Sequence, residues 1–287
     1  MNITVAILAY NEEQSIGLLL DTICATNADP HRIIEVLVYD DCSNDATAEI
    51  VDAASRGDLR IRRLASATRK GTMAGMEALT RAARGDVMVK VDADILPLDD
   101  AIARLVDAIA RGASLAVGSR EAVVERRNIA SRSAEFAASV VERLKATAYT
   151  EHYAVGQLAA YRTSAMRGLA FPTHLISEDR YISGSIGLGG GTAAFEPAAR
   201  CKFRVPHTFR DYSRQSRRIL EGLRQLETIG IKRAPFRVVL RALVASALTD
   251  PMSALCWAFA YGASSLRPAP AYTQPWPVAT TTKGKVA

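Results

Sequence analysis

Five short apolar runs, at residues 3–9, 33–39, 59–64, 87–91 and 115–118, alternate with four helix-length stretches at 14–24, 46–55, 73–83 and 99–110. This alternation constrains the fold more than any other feature, because parallel strands cannot be joined by a tight turn and need a crossover, usually a helix. Strand–helix repetition therefore predicts an α/β fold: a Rossmann-like, mostly parallel sheet flanked by helices on both faces. In such a sheet, ligands gather outside the carboxyl ends of the strands.

Past Arg120 the rhythm changes. Residues 128–148 are alanine-rich and helical with no strand directly after them, which predicts an insertion or an acceptor-side helix. The segment 157–161 reads as a strand, 178–187 as a helix, and 192–195 and 201–205 as two shorter strands. Gly189-Gly190-Gly191 lacks the Lys-Ser or Lys-Thr of a phosphate loop and reads as a turn. Residues 213–228 form a basic amphipathic helix candidate. The apolar stretch 242–266 is interrupted by Asp250-Pro251, so a helical hairpin at a membrane interface, or a docked lid, fits better than a spanning helix. The expected organisation is a catalytic domain over 1–210, C-terminal helices over 211–266 and a disordered proline- and threonine-rich tail over 267–287.

Thirty-six basic residues against thirty acidic ones give a formal charge of +6, and the excess concentrates between Arg200 and Arg241. Nucleotides, anionic lipid headgroups and nucleic acid all suit that sign. Aromatics in the basic region are sparse (Phe203, Phe209, Tyr212 and Phe236), so no stacking platform is present and no nucleic-acid partner is expected. The four cysteines, Cys24, Cys42, Cys201 and Cys256, show no Cys-x-x-Cys spacing, which argues against a zinc site or disulfide framework and for a reducing, cytoplasmic setting. Met1 leads straight into a strand, with no basic n-region or cleavage site of a secretory signal.

Chemistry-bearing residues cluster where the predicted strands end. Asp92-Ala93-Asp94 closes the run 87–91, and paired carboxylates there suit Mg²⁺ or Mn²⁺, hard cations that share their coordination with substrate phosphates. A local reading also exists, in which both acids cap the helix after Pro97. The first run ends in Ala9-Tyr10-Asn11-Glu12-Glu13 and the second in Asp40-Asp41-Cys42-Ser43-Asn44-Asp45. Parallel strands end on one edge, so Glu12, Asp41 and Asp94 are expected to line one crevice. Asn11 and Ser43 or Asn44 also read as helix N-caps with Glu12, Glu13 and Asp45 as first-turn charges, and for Asn44 and Glu13 that local role is preferred. Arg69-Lys70-Gly71 precedes a helix N-terminus, where backbone N–H groups meet phosphate oxygens, or is a solvated basic loop. Ser177-Glu178-Asp179 has the form of a helix start.

Taken in order, AYNEE, VYDDCSNDAT, ARGDVMVKVDAD and SEDRYIS resemble the motifs of a family 2 glycosyltransferase of the GT-A fold, and the likeness covers roughly the first three quarters of the chain. The resemblance implies an inverting, nucleotide-sugar-dependent hexosyltransferase with Mg²⁺ or Mn²⁺. It implies that Ala9, Tyr10 and Glu12 flank the nucleobase and ribose and that Asp41 contacts the base. Lys70, Gly71 and Ala93 join the donor site, Asp92 contacts ribose or sugar, and Asp94 binds the metal. Asp179 becomes the general base and Glu178 its acidic neighbour, in one displacement at the anomeric carbon. Where processive members carry Gln-x-x-Arg-Trp this chain has Gln215-Ser216-Arg217-Arg218-Ile219, which lacks the tryptophan platform and points to transfer of one sugar. Arg218, and with it Gln215, Arg214 and His207, are candidates for the diphosphate or acceptor, although for His207 a plain surface or core role is preferred.

The expected partners are a nucleotide-sugar donor, UDP-sugar first, and a lipid or cell-envelope glycan acceptor, at the cytoplasmic face of the inner membrane. Two other readings stand beside it: a polyprenyl-phosphate sugar synthase, and a non-enzymatic basic module binding membrane or nucleic acid. A nucleotidyltransferase is disfavoured, since its glycine-rich basic N-terminal loop is absent.

Overall fold

The computed structural model describes residues 1–153 and 157–265; the tail expected over 267–287 lies outside the described residues. The chain opens with β1 (Asn2–Ala9), α1 (Ile16–Ala25), β2 (Arg32–Asp40), α2 (Thr47–Gly57), β3 (Ile61–Ala65), α3 (Thr72–Ala82) and β4 (Val87–Asp92). It continues through β5 (Ile95–Pro97), α4 (Ala101–Ala110), β6 (Leu115–Val123), α5 (Ile129–Lys145), α6 (Thr150–Tyr153), β7 (Leu158–Arg162) and α7 (Thr163–Arg167). Then come α8 (Glu178–Leu188), β8 (Ala193–Arg204), α9 (Phe209–Thr228), α10 (Phe236–Thr249) and α11 (Pro251–Ser265).

The strands form one eight-stranded sheet in the order β3-β2-β1-β4-β7-β6-β8-β5. Strands β1 to β4 are parallel, as the alternation requires; β7 enters antiparallel between β4 and β6, and β5 pairs antiparallel with β8. Both faces are covered. Val87, Val89 and Val91 point toward α1 and α4, where Ile16, Leu19, Leu105 and Ile109 fill the core. Ala6, Leu37 and Met88 point the other way, toward Met73 and Met76 of α3 and Ile182 and Ile186 of α8.

The expectation departs from the structure in two places. The runs 192–195 and 201–205 are one strand, β8, whose register against β6 slips between Gly118 and Ser119. The slip hid its continuity in the sequence. Gly118 permits it: a Cβ there would stand 2.2 Å from the Ala199 carbonyl oxygen. Strand β5 and helices α6 and α7 are too short to show a period. The apolar stretch 242–266 is divided where Asp250-Pro251 was expected to interrupt it: α10 ends before Asp250, which caps α11 by accepting from Ser253 N at 2.9 Å.

Both C-terminal helices dock on α5, burying Phe136, Val140 and Leu144 against Ala242, Val238 and Trp257. Ala260 of α11 packs with Ala130 of α5 and Tyr212 of α9. No helix among the described residues is long and apolar enough to cross a membrane.

Candidate active site

Because β1, β2 and β4 run parallel and adjacent, their carboxyl ends bring Ala9–Glu12, Asp40–Asp41 and Asp92–Asp94 to one edge of the sheet. The loops after β1 and β2 are laced together. Asn11 N donates to Ser43 Oγ at 3.0 Å and Asn44 N to Asn11 Oδ1 at 2.9 Å; Glu12 N donates to Thr47 Oγ1 at 2.7 Å and Ala46 N to Glu13 Oε2 at 3.0 Å. The N-cap roles expected for Asn11 and for Ser43 or Asn44, and the first-turn role expected for Glu13, are thereby corrected: the cap positions of α1 and α2 are Ser15 and Ala46, and the side chains of Asn11, Ser43 and Glu13 bridge the two loops instead. Asn11 and Cys42 carry the bend with φ of 54° and 63°, in the left-handed region that Asn tolerates better than most side chains.

Asp41 is 8% exposed, and both its oxygens are engaged: Lys70 N donates to Oδ1 at 2.7 Å and Gly71 N to Oδ2 at 2.9 Å. The N–H groups expected to meet phosphate oxygens are thus directed at a carboxylate. That clamp fixes the loop before α3 and sets the Arg69 guanidinium 3.8 Å from the centre of the Tyr10 ring, a cation–π stack at the mouth of the crevice.

The centre of the site is a lysine that the sequence reading passed over. Along β4, Lys90 shares the face of Met88, opposite Val89 and Val91; its side chain is 1% exposed. Its ammonium lies 2.7 Å from Asp92 Oδ1 and 3.4 Å from Glu178 Oε1, and Thr72 Oγ1 donates to Glu178 Oε2 at 3.2 Å. One buried cation therefore joins the Asp-x-Asp strand end to the first turn of α8. Asp92 keeps 29% exposure but sits on the crevice floor. Burial pushes its pKa up to about 6, the Lys90 charge opposes the rise, and the like charges of Asp94 and Asp179 add to it. Glu178 is raised as well, by burial first and by Asp179 and Asp92 next, against the pull of Lys90 and Arg218. Lys90 is held protonated: burial lowers its pKa, but Asp92 and Glu178 together more than offset that cost. A lysine inside an apolar central strand was the available signal, since lysine is almost never fully buried without a partner.

The alternative reading of Asp92 and Asp94 as caps of the following helix does not hold: β5 intervenes, and the residue before α4 is Asp100. Ser177 precedes α8 but makes no side-chain cap; its hydroxyl donates to Asp179 Oδ1 at 3.4 Å, and Arg180 N donates to the same oxygen at 2.7 Å. Arg218 lies half-buried on α9 with its charge felt at Glu178. Arg214, one turn earlier, is 3.9 Å from Asp211; Gln215 is half-buried beside it. His207 goes elsewhere, 3.7 Å from Glu125 and accepting from Asn128 through its carbonyl at 2.8 Å.

The strand ends bring the carboxylates Asp41, Asp92 and Asp94 to one edge of the sheet. Mg²⁺ and Mn²⁺ fit that donor set, because they are bound through one or two carboxylates with phosphate oxygens and water completing the shell. Asp92 and Asp94 both stand at that strand end, and Asp92 is paired with Lys90. No cluster of three or more His, Cys, Asp or Glu capable of caging a metal occurs among the described residues.

The curled sheet, its helical layers and this acid-lined edge define a GT-A glycosyltransferase. Residues 4–169 match the family model of Glycosyl transferase family 2, and the chain belongs to that family. Among solved structures it is similar to the mannosyltransferase PcManGT of Pyrobaculum calidifontis in complex with GDP-Man and Mn²⁺, with a TM-score of 0.63 and 24% identity over 93% of this chain and 75% of that one. It is also similar to S. aureus TarS in complex with UDP-GlcNAc, with a TM-score of 0.55 and 18% identity over 92% and 80% of the two chains. These likenesses show the fold. Among curated proteins it is 31% identical over 168 residues to an undecaprenyl-phosphate 4-deoxy-4-formamido-L-arabinose transferase of Pseudomonas aeruginosa, covering 58% of this chain and 49% of that protein. It is 32% identical over 120 residues to a dolichol-phosphate mannosyltransferase of Pyrococcus furiosus, covering 42% and 33% respectively. The chain thus spans between a third and a half of the length of these relatives.

Proposed function

We propose that this chain transfers a single sugar from a nucleotide-sugar to a hydroxyl of a lipid-carried or cell-envelope glycan acceptor, with inversion at the anomeric carbon. The observation that carries the reading is the junction at Lys90, which brings the Asp-x-Asp motif at the end of β4 and the Glu178-Asp179 pair of α8 onto one cation.

Ala9, Tyr10 and Glu12 form the donor side, with the Arg69–Tyr10 stack as a platform for the base. Asp41 acts through the loop 69–71 that it clamps. Asp92 faces ribose or sugar hydroxyls. Asp94 would hold Mg²⁺ or Mn²⁺, which would supply charge neutralisation for the departing nucleoside diphosphate, and Arg218 adds a cation from α9. Lys90 and Thr72 hold both oxygens of Glu178, which anchors the first turn of α8 and with it the neighbouring Asp179. Asp179 is the base that removes the acceptor proton as the bond to the anomeric carbon forms.

The names of the curated relatives favour a second reading, in which the acceptor is a polyprenyl phosphate. A phosphate oxygen is already anionic near neutral pH, so Asp179 would have no proton to take. The first test is calorimetric titration of UDP, GDP and CMP with and without Mn²⁺, followed by transfer from the sugar nucleotide that binds. Metal-dependent binding of one nucleotide is expected; a folded sample that binds none removes both readings.

A further inference from the structure

The outer faces of α10 and α11 carry an exposed apolar stripe that nothing in the described fold covers. On α10, Phe236, Leu240, Val244 and Leu248 recur every four residues and are 45% to 81% exposed, a spacing that places them in one row. The opposite side of α10 is occupied, with Ala242 buried against α5. On α11, Leu255 and Phe259 continue the stripe at 68% and 65% exposure, and that helix contains no charged residue. Between residues 229 and 265 stand the basic Lys232, Arg233, Arg237 and Arg241 against the single acid Asp250, and Lys232, Arg237 and Arg241 are exposed beside the apolar row.

We infer that this face lies in the plane of an anionic lipid bilayer. Apolar side chains in one row give the insertion, and flanking cations give attraction to acidic headgroups, the two features that hold an in-plane amphipathic helix. Neither helix is long enough and apolar enough to span, so the pair rests in the interface. A second copy of the chain fits less well, since a two-fold contact over this face would set Arg237 and Arg241 against like charges. The stripe runs out at an open groove where Ile129, Ala130, Phe209, Phe259 and Ala263 stand with the polar Asn128 and His207, and its apolar part offers a resting place for the hydrocarbon chain of a lipid. Helix α9 leads inward from Phe209 to Arg218, about 14 Å along its axis, so docking sets the Glu178-Asp179 pair within one helix of the membrane surface. The inference names the partner surface for a lipid-carried acceptor, but it is read without any turnover and stands or falls apart from the donor chemistry.

The experiment is vesicle flotation of the full chain with phosphatidylcholine alone and with about a third phosphatidylglycerol. Wild type is expected to float with the anionic vesicles and to be released by high salt. Leu248→Glu combined with Leu255→Glu is expected to reduce partitioning by about a hundredfold, since each leucine loses more than a tenfold contribution, with melting temperature and nucleotide binding unchanged. A Leu255→Trp variant provides an independent readout: lipids brominated near the headgroup should quench the fluorescence that it adds over wild type, whose own Trp257 and Trp276 set the background. Unaltered flotation of the double Glu variant, or an unquenched Trp at position 255, overturns the inference. So does a solution dimer that the same substitutions break, or a fall in melting temperature showing that the chain covers this face itself.

Discussion

Lys90 Nζ and Asp92 Oδ1 are 2.7 Å apart at the floor of the crevice, two positions apart on one strand and therefore on the same face of it. The ammonium is fully desolvated, and its second acid, Glu178, comes from a helix that begins 88 residues later. Such a bridge fixes the distance between the end of β4 and the first turn of α8.

Replacing Lys90 with Met should therefore damage stability and chemistry together. Removing one partner of a buried ion pair leaves an uncompensated charge and costs about 3–5 kcal/mol; the partial exposure of Asp92 sets the expectation near about 3 kcal/mol, measured by urea unfolding. The added substitution Glu178→Gln should recover part of that loss, because one orphaned acid is removed. A midpoint unchanged by Lys90→Met would mean that the bridge contributes nothing.

At Asp94 the expected effect is on metal-linked binding. Asp94→Ala should abolish the increase in nucleotide affinity produced by Mn²⁺ and lower turnover about a hundredfold or more, as several kcal/mol of charge stabilisation are lost. Calorimetry with and without EDTA reads the first quantity and initial rates the second. Full, EDTA-sensitive turnover by the variant would remove Asp94 from the metal site.

Asp179→Asn keeps the shape of the side chain and deletes its capacity to accept a proton. With a hydroxyl acceptor turnover should fall by about 10²–10⁴ while nucleotide binding is retained. If undiminished transfer occurs to a polyprenyl phosphate, the acceptor is the phosphate.

The strands and the four early helices could be read from sequence because βα repetition imposes long, strongly periodic segments, and the edge at which Asp41 and Asp94 meet follows from parallel pairing alone. Other features depend on tertiary contacts. Lys90 looked like an isolated polar residue in an apolar run until β7 and α8 closed around it. The clamp on Asp41 is another, because the N–H groups of Lys70 and Gly71 reach it only once the loop after β3 has folded back. His207 has no local pattern at all; its place beside Glu125 and Asn128 is set by the docking of α5, which no periodicity in the sequence announces. The same holds for β8, whose register slip at Gly118 divides one strand into two apparent ones.

A last prediction concerns pH and lies away from the crevice. Lys145 on α5 is 0% exposed; it pairs with Glu142 at 2.9 Å and donates to Gly118 O, at the β6 slip, at 2.6 Å. Burial pulls its pKa down from 10.5 to about 8, the nearby Arg120 charge pulls the same way, and Glu142 opposes. Below about pH 8 the folded and unfolded chains both hold this proton, and the folded state bears the full cost of the buried charge. Between about 8 and 10.5 the unfolded chain keeps the proton while the folded one has released it, so the cost is relieved and stability gains a contribution that rises with pH. Cys201 acts in the opposite sense from pH 9 upward, because burial raises its thiol to about 12. The Lys145 contribution is therefore isolated as a difference: wild type minus Lys145→Met, by urea unfolding at intervals from pH 7 to about 10. The stability difference should shift in favour of the wild type as pH rises through 8, and a difference independent of pH would mean that Lys145 remains charged throughout.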